Sequence, residues 1–218
     1  MKPRFSNQRN RALTRIEVLI IVGVASVLLC LALTWFAQAS RKAGSICCNC
    51  NLKEVGTAYR IYAQNNDNKY PMQVAVKKGG AMELTATGNV AACFPVMSNS
   101  LADPKVLICP RDAKRTPATS FSGGFNNNNV SYFVGLDANL DHPQMFLSGD
   151  DNFAIGGMPV KSGLLELSTN TPITWTAARH RFFGNICLAD GSVQQFTTDD
   201  LQQALQQTGI ATNRLAIP

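Results

Sequence analysis

From Val18 to Phe36 the chain runs nineteen residues with no charge, no proline and a single glycine. At about 1.5 Å per residue, such a run spans about 28 Å, close to the thickness of a bilayer's hydrocarbon core. A core helix of that length would show a polar face, and none appears before Thr34. The pattern then changes while staying helical. Leu52, Val55, Tyr59 and Tyr62 recur at intervals of three, four and three, forming one apolar stripe. No proline comes before Pro71, and the polar run Asn65 to Asn68 supplies a stop. The periodicity predicts one helix over residues 14–66, its first half in lipid and its second half covering a sheet. Gly23, Gly44 and Gly56 each weaken that helix by up to about 1 kcal/mol relative to Ala, which points to bending or close contact at those positions.

Beyond the helix the signals are shorter. Residues 67–130 are rich in Gly, Asn, Pro and Ser and show little periodicity, with Lys105–Cys109 as a strand candidate ended by Pro110. Phe121 to Asn129, with two Gly and four consecutive Asn, reads as an exposed loop. Val130–Val134 and Gln144–Leu147 read as strands. The strongest pattern is Gly184–Phe196, in which two alternating runs flank Asp190-Gly191, a dipeptide suited to a tight hairpin turn. A last helix is expected after a Thr198 cap, with Asp199 and Asp200 at its positive end and Gly209 as its stop. No internal repeat is present.

Charge refines the picture. The net +6 is concentrated at the front, in Lys2, Arg4, Arg9 and Arg11. Without those four, sixteen bases face fourteen acids, so the body is close to neutral and nucleic acid is not an expected partner. The basic front end predicts a cytoplasmic N-terminus and export of everything after about Phe36. Glu17, at the start of the apolar run, needs explaining. A charged side chain deep in a bilayer costs about 2.5–3.5 kcal/mol even on insertion scales.

A basic leader, the small residue Ala12, then Leu13, Thr14 and Glu17 resembles the N-terminus of type IV pilins and type II secretion pseudopilins. The resemblance implies cleavage between Ala12 and Leu13 by a prepilin peptidase that also methylates the new Leu13 amine. Glu17 then becomes the fifth residue of the processed chain. Ala12 stands where the family usually has Gly, and Arg15 where it usually has an apolar residue. A carboxylate in lipid is tolerable if paired, and in a stack of parallel helices Glu17 can meet the terminal amine of a neighbouring subunit. Snorkelling of Glu17 at the cytoplasmic interface of a plain anchor is the alternative, and Arg15 offers a local partner.

His180, followed after nine residues by Asp190-Gly191, resembles the corresponding signature of expanded pseudopilin families. Asn51-Leu52-Lys53, Cys109-Pro110 and Asn129–Gly135 fit the same group. The signature brings no established chemistry. His180, Asp190 and Ser131 or Ser192 are the residue types of a hydrolase triad, yet no nucleophile elbow is present. Asp-Gly at a hairpin tip usually serves the backbone, so structural roles are expected for His180, Asp190 and Gly191. Type II pseudopilins can hold calcium, and Asp137, Asp141, Asp150 and Asp151 offer oxygen ligands, although their spacing matches no calcium loop.

Seven cysteines remain. Cys30 reads as a small apolar residue of the span. Cys47, Cys48 and Cys50 are close together, but no second Cys or His pair follows at finger-like spacing, so no metal site is expected. In an oxidising exported compartment the expected use is a disulfide from one of these three to Cys93 or Cys109.

The expected fold is α+β and pilin-like: a long N-terminal helix packed on a small antiparallel sheet, with a short C-terminal helix. The expected parts are a removed leader (1–12), a membrane and assembly segment (13–36) and a periplasmic head (37–218). The resemblance implies a non-enzymatic, single-pass inner-membrane subunit of a secretion or pilus-like filament. Its partners would be the prepilin peptidase, other pseudopilins, an inner-membrane assembly platform and the bilayer, with no cofactor apart from the calcium considered above. The rival readings are a minor pilin binding DNA or a surface, and an uncleaved membrane-tethered enzyme.

Overall fold

A computed structural model of the protein describes residues 14–101 and 103–218, with side chains throughout that range except at 37–46. The expected leader, Ala12 and Leu13 therefore lie outside the described residues. The chain divides into two compact units, residues 1–43 and 44–218.

The helix α1 (Arg15–Gln64) falls within two residues of the predicted bounds at each end. In the first unit it supplies Arg15–Phe36, the one helical stretch among the described residues that is long and apolar enough to cross a membrane. Its mean hydropathy is 2.8 and none of it is buried in the protein. Leu19 is 71% exposed and Trp35 80%. Contiguous apolar surface of this extent marks a contact with a membrane or another protein.

In the second unit α1 turns an apolar face inward. Cys48, Leu52, Val55 and Tyr59 have no exposed surface, and the Tyr59 ring meets Tyr70 and Phe94 edge-on at 5.9 and 6.3 Å. This face seats on an antiparallel sheet built from β1 (Tyr132–Gly135), β2 (Phe146–Asp150), β5 (Gly163–Ser168), β7 (Phe183–Leu188), β8 (Val193–Thr197) and β9 (Thr212–Ile217), in the order β5-β9-β1-β2-β7-β8. A second, three-stranded sheet orders β4 (Met158–Pro159), β3 (Phe153–Ile155) and β6 (Ile173–Trp175). The short α3 (Thr198–Gln206) precedes β9.

The pleat of the large sheet divides the core in two. Tyr132, Val134, Cys187 and Ala216 join the α1 side, whereas Phe133, Ile186, Leu188, Leu215 and Ile217 pack with Trp175, Leu201 and Leu205 on the other. Alternation of Cβ atoms along a strand makes this partition automatic. Both faces are thus covered, which is why β1 and β2 are buried at every position instead of alternating apolar and polar. The small antiparallel sheet expected under a single helix is here a six-stranded sheet covered on both faces, with α3 and the second sheet over the far one.

Between α1 and β1 the chain forms a short helix, α2 (Met82–Thr85), and a series of 3₁₀ turns that wall the α1 side of the core. Pro71, Pro95 and Pro104 each open one of these turns, where a preset φ helps and no backbone donor is required. Residues Lys105–Cys109 are accordingly not a strand. Pro104–Leu107 is a 3₁₀ turn, and the Asp103 carboxylate caps it by accepting from the Lys105 N–H at 2.9 Å. The cap of α3 is Thr197 instead of Thr198, because only Thr197 stands three residues before Asp200 and can close the reciprocal capping box.

The predicted hairpin forms as β7–β8, with Asp190-Gly191 at its turn. Gly191 has φ +84°, and the Asp190 carbonyl accepts from Arg60 of α1 at 2.6 Å. One turn earlier on α1, a Cβ at Gly56 would lie 2.6 Å from Cys187 Sγ and 3.2 Å from the Gly191 carbonyl oxygen. Helix and hairpin therefore approach more closely than a side chain permits. Gly56→Ala is expected to lower stability by about 1–3 kcal/mol through overpacking, despite Ala's better helix propensity. Adding Cys187→Ala should recover part of the loss. Thermal denaturation of the two variants measures both effects.

Candidate functional site

At the start of α1, the Thr14 N–H and hydroxyl donate to Glu17 Oε2 at 2.8 and 2.9 Å, and the Glu17 N–H approaches Thr14 Oγ1 at 3.3 Å. Thr14 and Glu17 thus form a reciprocal cap on the helix that carries the apolar span. The local partner of Glu17 is Thr14, and no ion pair to Arg15 occurs among the described residues.

The two halves of the His180–Asp190-Gly191 signature serve different places. Asp190-Gly191 belongs to the hairpin turn against α1, where Asp190 Oδ1 also accepts from the Ser192 N–H at 2.8 Å. His180 lies in the interior. Neither candidate serine meets it: Ser131 Oγ donates to Asp112 at 2.8 Å, and Ser192 stays in the hairpin. The residues that do meet His180 are Cys48, Cys109 and Asp150, brought together from α1, from the loop after the 3₁₀ turn at Pro104–Leu107, and from the end of β2.

This cluster is buried. Cys48, Cys109 and Asp150 have no exposed surface and His180 is 2% exposed. The two sulfurs, the carboxylate and the imidazole nitrogen all lie within 4.8 Å of one another. Cys109 Sγ is 3.2 Å from His180 Nε2, Asp150 Oδ2 is 3.4 Å from the same nitrogen, and Cys48 Sγ is 3.4 Å from Asp150 Oδ1. Asp150 Oδ2 also accepts from the Asn185 N–H at 2.8 Å and from Asn185 Nδ2 at 3.0 Å. The Tyr132 hydroxyl stands 3.5 Å from Cys48 Sγ, and the Phe183 ring stacks on the imidazole at 5.5 Å.

The electrostatics follow from this crowding. Burial alone would pull the His180 pKa down, but the Asp150 carboxylate and Cys109 beside Nε2 outweigh it and hold it at about 9. The neighbouring Cys48 thiol brings Cys109 down to about 6 against its burial, with His180 helping. Cys48 moves the other way, raised by its contact with Cys109, by burial and by Asp150. Burial would raise Asp150, yet His180, the Asn185 N–H and Arg179 keep it below the usual carboxylate value.

A charged network adjoins it. Arg179 donates to Asp112 at 2.7 Å and pairs with Asp151, while Arg115 reaches Asp112 at 3.1 Å and Asp151 at 2.6 Å. These residues line a cleft of about 560 Å³. Arg179, Arg181 and Phe182 all carry positive φ, between 54° and 67°, so His180 sits in a backbone segment whose conformation costs about 1–2 kcal/mol at each such residue. Such a segment persists only where its surroundings over-determine it.

Other expected groupings do not form. No disulfide links the cysteines among the described residues, although Cys48 and Cys109, one of the expected pairs, lie within 4.8 Å of each other. Cys47 and Cys50 are exposed and Cys93 lies outside the cluster, leaving Cys48 and Cys109 as the two of the five that meet. Asp137 binds Arg214 and Asp151 binds Arg115 and Arg179, so the four acids considered for calcium are dispersed. Asp150 was not legible as a partner of His180, nor Asn185 as a partner of Asp150. The one available signal was that Cys109-Pro110 fits the same family group as the His180 signature.

Asp112 accepts from Arg179, Arg115, the Ser131 hydroxyl and the Lys114 N–H. Burial would raise its pKa, but these partners, Arg179 foremost, hold it below the usual value. A depressed carboxylate contributes stability that is complete above its unfolded pKa of about 4 and is lost as pH falls through the folded value. Asp112→Asn should therefore destabilise the protein by about 3–5 kcal/mol near pH 7, by leaving Arg179 under-paired, and should flatten the acid limb of a stability-versus-pH curve. Against protein families, curated proteins and solved structures, the chain has no match.

Proposed function

We propose that this chain is a pseudopilin: a non-enzymatic subunit of a type II secretion or related pilus-like filament, with a pilin-like fold and a periplasmic head. The observation that carries the reading is the double use of α1. One helix contributes an apolar segment with Glu17 in its first turn, and further along it contributes the face on which the head's core is built. The basic leader and the Ala12–Leu13 junction add the sequence of a prepilin peptidase substrate. The burial of Cys109 and His180 favours a non-catalytic head. Both Cys109 and Asp150 face the same imidazole nitrogen, whereas a relay would use the two nitrogens separately.

Function then resides in assembly. Processing leaves a cationic amine at Leu13, four residues before Glu17. In a bundle of parallel helices the amine of one subunit neutralises the Glu17 of the next, and any slip in register strands two charges in lipid. The contact with Thr14 holds the carboxylate at the helix start until a neighbour supplies that amine.

Glu17→Gln separates the two roles of the residue, because the amide retains an oxygen for Thr14 and loses the charge. Its cleavage should be normal, and its incorporation into filaments should fall at least about tenfold relative to wild type in a co-expression pull-down. N-terminal sequencing of the membrane-extracted wild type should read from a methylated Leu13. A chain still beginning at Met1, or normal incorporation of the Glu17→Gln variant, would overturn the reading.

A further inference from the structure

We infer that Cys48, Cys109, Asp150 and His180 form a binding site for one divalent transition-metal ion, zinc by the character of its donors, which fastens α1 to the sheet.

Four donors around one tetrahedral zinc, at bond lengths of about 2.0–2.3 Å, stand about 3.3–3.8 Å apart. Three contacts within the cluster come near that spacing, at 3.2 Å from Cys109 Sγ to His180 Nε2, 3.4 Å from His180 Nε2 to Asp150 Oδ2 and 3.4 Å from Cys48 Sγ to Asp150 Oδ1, and all four donors lie within 4.8 Å of one another, close enough to draw in around one ion. No other group of three or more His, Cys, Asp or Glu side chains converges in this way among the described residues. Two sulfurs, one imidazole and one carboxylate make a donor set suited to a borderline-soft cation and unsuited to calcium.

Hydrogen bonding alone serves this cluster poorly. His180 Nε2 carries at most one proton, yet Cys109 and Asp150 both face it. A cation at the centre gives all four donors a partner at once. The surroundings hold those donors in place: Asn185 gives two hydrogen bonds to Asp150, Tyr132 stands at Cys48, Phe183 stacks on the imidazole, and Arg179 lies 3.9 Å from Asp150 to offset the anionic ligands. The left-handed backbone on both sides of His180 aims its ring inward.

All four positions come from protein and all are buried, which is the pattern of a closed, structural site. The separations in sequence are 102 residues from Cys48 to Asp150 and 71 from Cys109 to His180, so a single ion ties together segments distant along the chain. The inference does not depend on the filament reading.

The test uses the full chain purified in detergent under reducing, oxygen-free conditions, with its fold checked by circular dichroism. Titration with Zn²⁺ alone should saturate at one ion per chain. With Co²⁺, thiolate-to-metal charge transfer and the intense visible bands of a tetrahedral ion should appear. Cys109→Ser and His180→Gln should each weaken binding at least about 100-fold, and Asn185→Ala, a positioning residue, about 10- to 100-fold. Cys93→Ser, a buried cysteine outside the cluster, should bind as wild type does. The spectrum of the wild-type chain alone decides the case if a variant fails to fold. A folded, reduced chain that takes up no Zn²⁺ or Co²⁺ would overturn the proposal. So would a Co²⁺ spectrum without thiolate charge transfer, or a Cys48–Cys109 disulfide whose reduction yields no binding.

Discussion

The head is organised around the seating of α1 on the large sheet. Cys48, Leu52, Val55 and Tyr59 lose all contact with solvent there, and the absence of a side chain at Gly56 brings the helix against Cys187 and the Gly191 carbonyl. At about 1.5–3 kcal/mol for each large apolar side chain removed from water, this face carries a substantial part of the stability of a domain whose net margin is about 5–15 kcal/mol. The hairpin turn, the 3₁₀ wall and the buried Cys–His–Asp cluster all take their positions from it. Arg60 holds the turn through the Asp190 carbonyl, Tyr59 meets Tyr70 and Phe94 of the wall, and Cys48 reaches Asp150.

The two stretches of this helix differ in the surface they present. From Val18 to Phe36 it carries no charge and none of it is buried in the protein. From Cys48 onward one face is apolar and the other is open to water. The bases concentrated in residues 1–12 leave a nearly neutral body, which offers nucleic acid little to bind.

Much of the fold was legible because it rests on local rules. The bounds of α1 followed from periodicity and the polar stop at Asn65–Asn68, and the β7–β8 hairpin from Asp190-Gly191. Where two local rules competed, the reading slipped. Lys105–Cys109 looks like a strand, but Pro104 and the Asp103 cap wind it into a 3₁₀ turn. Thr197 and Thr198 are equivalent as residues, and only their spacing to Asp200 separates them. The strand Thr212–Ile217 carries no turn signal of its own, because its place between β5 and β1 is set by long-range pairing. The Cys–His–Asp cluster was hidden for the same reason. Its members come from separate segments, and the three neighbouring cysteines on α1 drew attention although only Cys48 faces inward.

If the helix–sheet seam holds the head together, α1 cannot open while the sheet stays closed. Native-state hydrogen exchange measures this directly. The amides of residues 52–62 and those of β1, β2 and β7 should exchange with the same opening free energy and the same denaturant dependence, as one cooperative unit. Exchange of the 52–62 amides through a markedly lower-energy opening, with the sheet still protected, would show that the sheet stands without its helix and would contradict the account.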